Sequence, residues 1–228
     1  MIKRIICVVC AVFILSMSMP LANATESKIV FSKNPKQTKK IAITFDDGPH
    51  PRYTEKILDI LNRYDIKATF FVIGVNIENY PEAFRKIYEN GHEIANHSYS
   101  HASEKDACME FAINEIEKCE QIIYNNIGIK PKLFRPPQGI FSSEIEKAAS
   151  KKDYSIILWS IDTKDWAHNS PQNIMKSIND NIRGGDIILM HDYISGKNTT
   201  CDALEIIIPN LLKKGYEFVT VSELISEF

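Results

Sequence analysis

From Lys39 onward, short runs rich in β-branched and aromatic residues alternate with longer runs whose apolar positions recur every three or four residues. The strand-like runs cover residues 41–45, 68–73, 93–96, 132–135, 156–160, 187–191 and 218–221. Between them, sets such as Ile57, Leu58, Leu61 and Tyr64, or Ile113, Ile116, Cys119 and Ile123, keep helical spacing. Gly91, Gly128 and Gly215 fall where such helices should stop. Repeated β/α alternation of this kind means a parallel sheet, doubly wound or closed into a barrel. No low-complexity linker interrupts it, so residues 39–228 are expected to form a single α/β domain.

The ends of the strands separate the two arrangements. Polar clusters follow five of the runs, at residues 46–50, 97–101, 135–139, 162–166 and 191–192, always at the carboxyl end. Five clusters converge on one point at the carboxyl face of a barrel, whereas an open sheet would spread them along an edge. The expectation is a distorted seven-stranded barrel.

Ahead of this pattern, residues 1–24 read as a secretory leader. Lys3 and Arg4 precede an uncharged apolar run over 5–19, and Ala22-Asn23-Ala24 offers a small-residue cleavage site. That run is shorter than the ~20 residues that span a bilayer, so cleavage is expected and no stable membrane span thereafter. Residues 25–38 read as a polar lead-in.

Composition narrows the function classes. Hydrophobic residues at 44% and charged residues at 25% exclude a disordered or fibrous chain. Lys+Arg at 27 against Asp+Glu at 29 give a net charge of -2, and loss of Lys3 and Arg4 makes it -4. With no basic surplus to neutralise phosphates, nucleic acid is not an expected partner. Outside the leader the cysteines are Cys108, Cys119 and Cys201, an odd number for an oxidising compartment. Cys108 and Cys119 fall on one helical run at ~16 Å, beyond disulfide reach; a Cys119–Cys201 bridge stays open. The absence of C-x-x-C outside the leader excludes a structural zinc site of that type.

One constellation carries chemistry. His97 and His101 stand at i and i+4, where one turn of chain presents two imidazoles to a metal. Asp46-Asp47 closes an apolar strand before the Gly48-Pro49 turn, and adjacent carboxylates at a buried rim repel unless a cation neutralises one. Neighbours on a strand point in opposite directions, so one of the two ligates and the other flanks. Ser98 occupies the position at which H-E-x-x-H hydrolases carry their base, so a base must come from elsewhere, and the flanking carboxylate is placed for it. Two imidazoles and one carboxylate suit zinc and would accept cobalt, nickel or manganese.

Five segments then appear in order: Thr44-Phe45-Asp46-Asp47-Gly48-Pro49, His97-Ser98-Tyr99-Ser100-His101, Arg135-Pro136-Pro137-Gln138-Gly139, Asp162-Thr163-Lys164-Asp165-Trp166 and Leu189-Met190-His191. They resemble the five motifs of the polysaccharide deacetylases, the NodB-homology enzymes of carbohydrate esterase family 4, over residues 39–221. The resemblance implies a distorted (β/α)7 barrel and metal-dependent removal of acetyl groups from sugars. It implies Asp47, His97 and His101 as metal ligands, Asp46 as general base and His191 as general acid. Arg135 would pair with Asp46 and keep it ionised, and Asp165 would orient His191. Trp166 and Leu189 match residues that wall the pocket for the acetyl methyl, although Leu189 reads equally as core packing. Asp162 is left as a support of its loop.

Gln138 stands where the family commonly has Tyr. Pro136 and Pro137 lack an N–H, so the first amide after Arg135 is that of Gln138, which the resemblance assigns to the oxyanion. The altered side chain changes what the sugar meets. His92 is expected to be structural, and His50 and His168 to lie on exposed loops of the active face. The expected substrate is an N-acetylated polysaccharide, peptidoglycan N-acetylglucosamine first. A chitooligosaccharide deacetylase or an O-acetyl xylan esterase is the alternative. An inactive wall-carbohydrate-binding protein would be marked by loss of Asp46 or His191, and both are present.

Overall fold

The computed structural model describes residues 30–102, 108–196 and 198–226, so the expected leader over residues 1–24 lies outside the described residues. Its strands are β1 Val30–Phe31, β2 Lys40–Asp46, β3 Thr69–Val72, β4 Glu93–Asn96, β5 Leu133–Phe134, β6 Ser155–Ile157, β7 Ile161–Asp162, β8 Ile187–His191 and β9 Glu217–Phe218. The helices are α1 Tyr53–Arg63, α2 Gly74–Asn79, α3 Pro81–Glu89, α4 Met109–Ile127, α5 Ser143–Lys151, α6 Pro171–Asn181, α7 Thr200–Lys213 and α8 Val221–Ile225. Among the described residues no helix is long and apolar enough to cross a membrane.

The strands pair in parallel in the order β1-β6-β5-β4-β3-β2-β8-β7, with β9 added to the start of β2. The sheet curls, and its two ends meet through the chain itself. β6 pairs with β1, and three residues later β7 pairs with β8. This is the distorted (β/α)7 barrel expected, closed by a connecting segment in place of one ladder. The 156–160 run is therefore corrected: strand β6 ends at Ile157, Leu158–Ser160 leave the sheet, and a separate strand β7 follows at Ile161–Asp162. The lead-in is corrected too, because Val30–Phe31 joins the sheet beside β6. Two-residue strands carry no readable period, which is why neither was visible.

Period-two alternation sorts the strands into two environments. Ile41, Ile43, Phe45, Phe70, Val72, Ile188 and Met190 face the helices, in a core with Ile57, Leu61, Ile207 and Leu211. The opposite phase lines the interior, where Ala42, Phe71, Ala95, Leu133, Ile157 and Ile187 form a second core. Val221 and Leu224 of α8 join that core from the amino end, with Thr220 and Glu223 forming a capping box that starts the helix.

The inward phase changes character along each strand. Ala42 is followed by Thr44 and Asp46, Ala95 by His97, Leu133 by Arg135, Ile157 by Trp159, and Ile187 by Leu189 and His191. The interior is thus apolar at the amino end and polar at the carboxyl end, as in barrels whose sites lie at that face. Cys108, Cys119 and Cys201 are all free thiols, so no Cys119–Cys201 bridge forms.

Candidate active site

Three side chains converge at the carboxyl end of β2 and β4. Asp47 Oδ1 lies 3.5 Å from His97 Nε2 and 3.3 Å from His101 Nε2, and one donor atom from each residue fits within 4.8 Å. Strand parity turns Asp46 inward. Asp47 joins the histidines because its backbone is left-handed, at φ 73°, and leaves the strand direction. Ser98 and His101 are left-handed as well, at φ 66° and 55°. Such backbone is costly for non-glycine residues and persists where surrounding bonds fix it. Here Ser98 N–H donates to Asn96 Oδ1, His101 N–H to Ser98 Oγ, and Ser100 N–H and Oγ–H to the buried carboxylate of Glu115 on α4.

The donor set fits a divalent cation. Asp47 Oδ1 is buried and accepts no hydrogen bond, an uncompensated cost unless a cation sits there. His97 Nδ1 lies 2.7 Å from the Arg135 carbonyl, which places the ring proton on Nδ1 and leaves the Nε2 lone pair facing Asp47. Electrostatics agree. Burial would raise the Asp47 carboxyl, but the facing His97, with His101 and His191, holds it below the ordinary value. Burial and the neighbouring His97 push His101 down, towards the neutral form that ligates. Burial also opposes charge on His97, yet Asp46 and Asp47 hold it above the usual value, so the centre attracts positive charge.

Asp46 is occupied differently. Its Oδ1 accepts a 2.6 Å bond from Arg135, and its Oδ2 lies 3.6 Å from His97 Nε2. The guanidinium is fully buried. It also donates to Thr44 Oγ1 and to the carbonyls of Ile157 and Leu158, and it stacks 3.9 Å above the Phe71 ring. Burial pulls its pKa below the ordinary value despite Asp46. Arg135→Met is expected to destabilise the fold by about 3–5 kcal/mol, because it strands a buried carboxylate and frees two buried carbonyls. A fall in the urea midpoint measures it; an unchanged midpoint would mean that the pair contributes nothing to folding.

Across the cavity, His191 Nδ1 lies 2.8 Å from Asp165 Oδ1, and the His191 N–H donates to Asp165 Oδ2. Asp165 is fully buried and also accepts from Thr200 Oγ1 and the Trp166 N–H. Burial opposes a charged imidazole, but the bond and charge of Asp165, with Asp46 and Asp47 beyond, raise His191 to about 9. It is therefore protonated at neutral pH.

These groups open on one cavity of about 380 Å³. Leu189, 3% exposed, lies in its wall, and Trp166, 51% exposed, stands at its rim with the indole N–H on Asp162 Oδ1. Gln138, left-handed at φ 58°, lines it as well. The cavity thus gathers Asp46, Asp47, His97, His101, Gln138, Trp166, Leu189 and His191, with Arg135 and Asp165 directly behind. Trp159 also lines it and was not anticipated; its signal was strand parity, two residues beyond the inward Ile157. A Cβ on Gly139 would come within 2.4 Å of the Trp159 ring, so that glycine admits the indole. Asp162 holds its loop as expected, accepting from the Lys164 and Trp166 nitrogens. His92, buried, accepts from the Ala68 N–H at the far end of the barrel.

The family profile described as polysaccharide deacetylase matches residues 33–157. A peptidoglycan-N-acetylglucosamine deacetylase of Bacillus cereus is 39% identical over 193 residues, covering 84% of this chain and 90% of that protein. The peptidoglycan-N-acetylmuramic acid deacetylase of Bacillus subtilis is 37% identical, covering 82% of this chain but 38% of that longer protein. Among solved structures, a peptidoglycan N-acetylglucosamine deacetylase in complex with 4-naphthalen-1-yl-N-oxidanyl-benzamide superposes with a TM-score of 0.84 at 36% identity. It covers 87% of this chain and 94% of that one.

Proposed function

This chain belongs to the polysaccharide deacetylase family and is a hydrolase of amide bonds in N-acetylated polysaccharide; we propose that it acts outside the cytoplasm on the N-acetylglucosamine of peptidoglycan, with one zinc ion. The observation that carries the reading is the unpartnered Asp47 Oδ1 facing two imidazole nitrogens, with Asp46 and His191 both opening on the same cavity. The N-acetylglucosamine preference is supported by the names of the Bacillus cereus relative and of the structural neighbour. The extracytoplasmic location is supported by the charge and hydropathy pattern of residues 1–24.

Asp47, His97 and His101 would hold a divalent metal, which would supply Lewis acidity at the reacting centre. The chain's own residues move the protons. Asp46, hydrogen-bonded to Arg135, accepts a proton from the attacking water as its oxygen bonds to the carbonyl carbon. The Gln138 N–H stabilises the charge that develops on the carbonyl oxygen. An amide nitrogen does not leave as an anion, so His191 gives it a proton as the C–N bond breaks, yielding acetate and a free amine. Asp165 stabilises the imidazolium before that transfer.

Chelation is expected to abolish acetate release from purified peptidoglycan, and stoichiometric zinc to restore it. Mass spectrometry of muramidase fragments should place the free amine on glucosamine. Amines on muramic acid alone, or acetate only from acetylated xylan, would overturn the substrate reading.

A further inference from the structure

Four aromatic rings, none of them lining the cavity, gather around His50 on segments next to the catalytic residues. The His50 ring stacks on Tyr193 at 4.9 Å and 10°, and lies 5.0 Å from Tyr53 and 5.9 Å from Tyr80. Tyr193 and Tyr80 are 39% and 37% exposed, so the cluster is open to solvent. It is rigid. His50 Nδ1 accepts from the Arg52 and Tyr53 N–H groups, which puts the ring proton on Nε2 and fixes the imidazole plane. Beneath it, the His50 N–H donates to Thr54 Oγ1, which donates in turn to the buried Asp192 at 2.6 Å. Asp192 packs so closely on Gly48 that a Cβ there would fall 2.0 Å from its oxygen.

The cluster is tied to the catalytic residues by short stretches of chain. His50 follows Asp47 by three positions, a chain reach of at most about 11 Å, and Tyr193 follows His191 by two. Asn76 of α2, the helix that ends beside Tyr80, donates to the Asp47 carbonyl. A cavity of about 380 Å³ does not enclose a polysaccharide, so sugars flanking the reacting unit must rest on the surface around it. A pyranose offers a C–H face ringed by hydroxyls, and these rings offer flat apolar faces edged by phenol hydroxyls and an imidazole N–H.

We propose that Tyr193, His50 and Tyr80 form an outer subsite that binds a sugar ring adjacent to the one being deacetylated. It rests on the proposed polysaccharide reading and adds where the chain of sugars lies. A glycan held there gains affinity with length, so kcat/KM rises from N-acetylglucosamine to its linear hexamer.

The test compares wild-type protein with Tyr193→Ala, Tyr80→Ala and Tyr193→Phe. In the alanine variants the hexamer-to-monomer ratio of kcat/KM is expected to fall roughly 3- to 10-fold each, mostly through KM, while Tyr193→Phe keeps most of the ratio. Equilibrium binding of the fully deacetylated glucosamine hexamer to the zinc-loaded protein gives a readout independent of turnover, and each alanine variant should weaken it by a similar factor. An unchanged ratio together with unchanged hexamer binding overturns the subsite. Protein that binds the hexamer through Tyr193 yet releases no acetate from any glycan overturns the deacetylase reading and leaves the subsite standing.

Discussion

Asp46→Asn is expected to cut turnover on an N-acetylated glycan by about 10²–10⁴-fold while leaving the metal bound, the size of a lost general base. Asp47→Asn, one residue on, should lose metal and activity together. The asymmetry follows from what each carboxylate already holds. Asp46 points inward with Ala42 and Thr44 and spends one oxygen on Arg135, and asparagine can still accept that bond through its carbonyl. Asp47 turns out of the strand and offers a buried oxygen with no other partner to His97 and His101. Metal content by plasma mass spectrometry, measured beside acetate release, decides between them. If Asp46→Asn empties the site and Asp47→Asn keeps it filled, the two roles are exchanged.

The hydropathy pattern led to the barrel because β2, β3 and β8 are buried almost throughout and read as continuous apolar runs. The same pattern failed at Val30–Phe31 and Ile161–Asp162, where two residues of strand cannot establish a period. The pairing of His97 with His101 was suggested by spacing and became legible only with the neighbouring carboxylates and the five ordered motifs. Which aspartate faces them was not, since it depends on one left-handed residue, Asp47, that parity arguments treat as ordinary strand. The groups that hold the site were less legible still. Glu115 reaches Ser100 from α4, and Thr200 reaches Asp165 from the start of α7, contacts that exist only once the barrel has brought distant segments together. Of the eight non-glycine residues with left-handed backbone among the described residues, Asp47, Ser98, His101, Gln138, Lys164 and His168 lie in loops of the carboxyl face. Local rules therefore fail most often where the chemistry is concentrated.

His191→Ala should cost most on N-acetyl sugars, about 10²–10⁴-fold, and far less on activated aryl acetates, whose leaving groups depart without a proton. The comparison isolates protonation of the nitrogen, because both substrates share the attack step at Asp46. Asp165→Asn acts in the same direction more weakly, since the imidazole stays in place and only its anionic partner is lost. The pH profile separates this from a structural effect. His191 is raised to about 9 with Asp165 as its principal support, and its function requires the proton, so activity is retained below that pH and lost as pH rises through it. Removing the Asp165 charge lowers the His191 pKa, so the alkaline limb of kcat/KM should move to lower pH in Asp165→Asn. Equal losses on amide and aryl ester, with an unmoved alkaline limb, would show that His191 binds the sugar or the metal and does not protonate the departing amine.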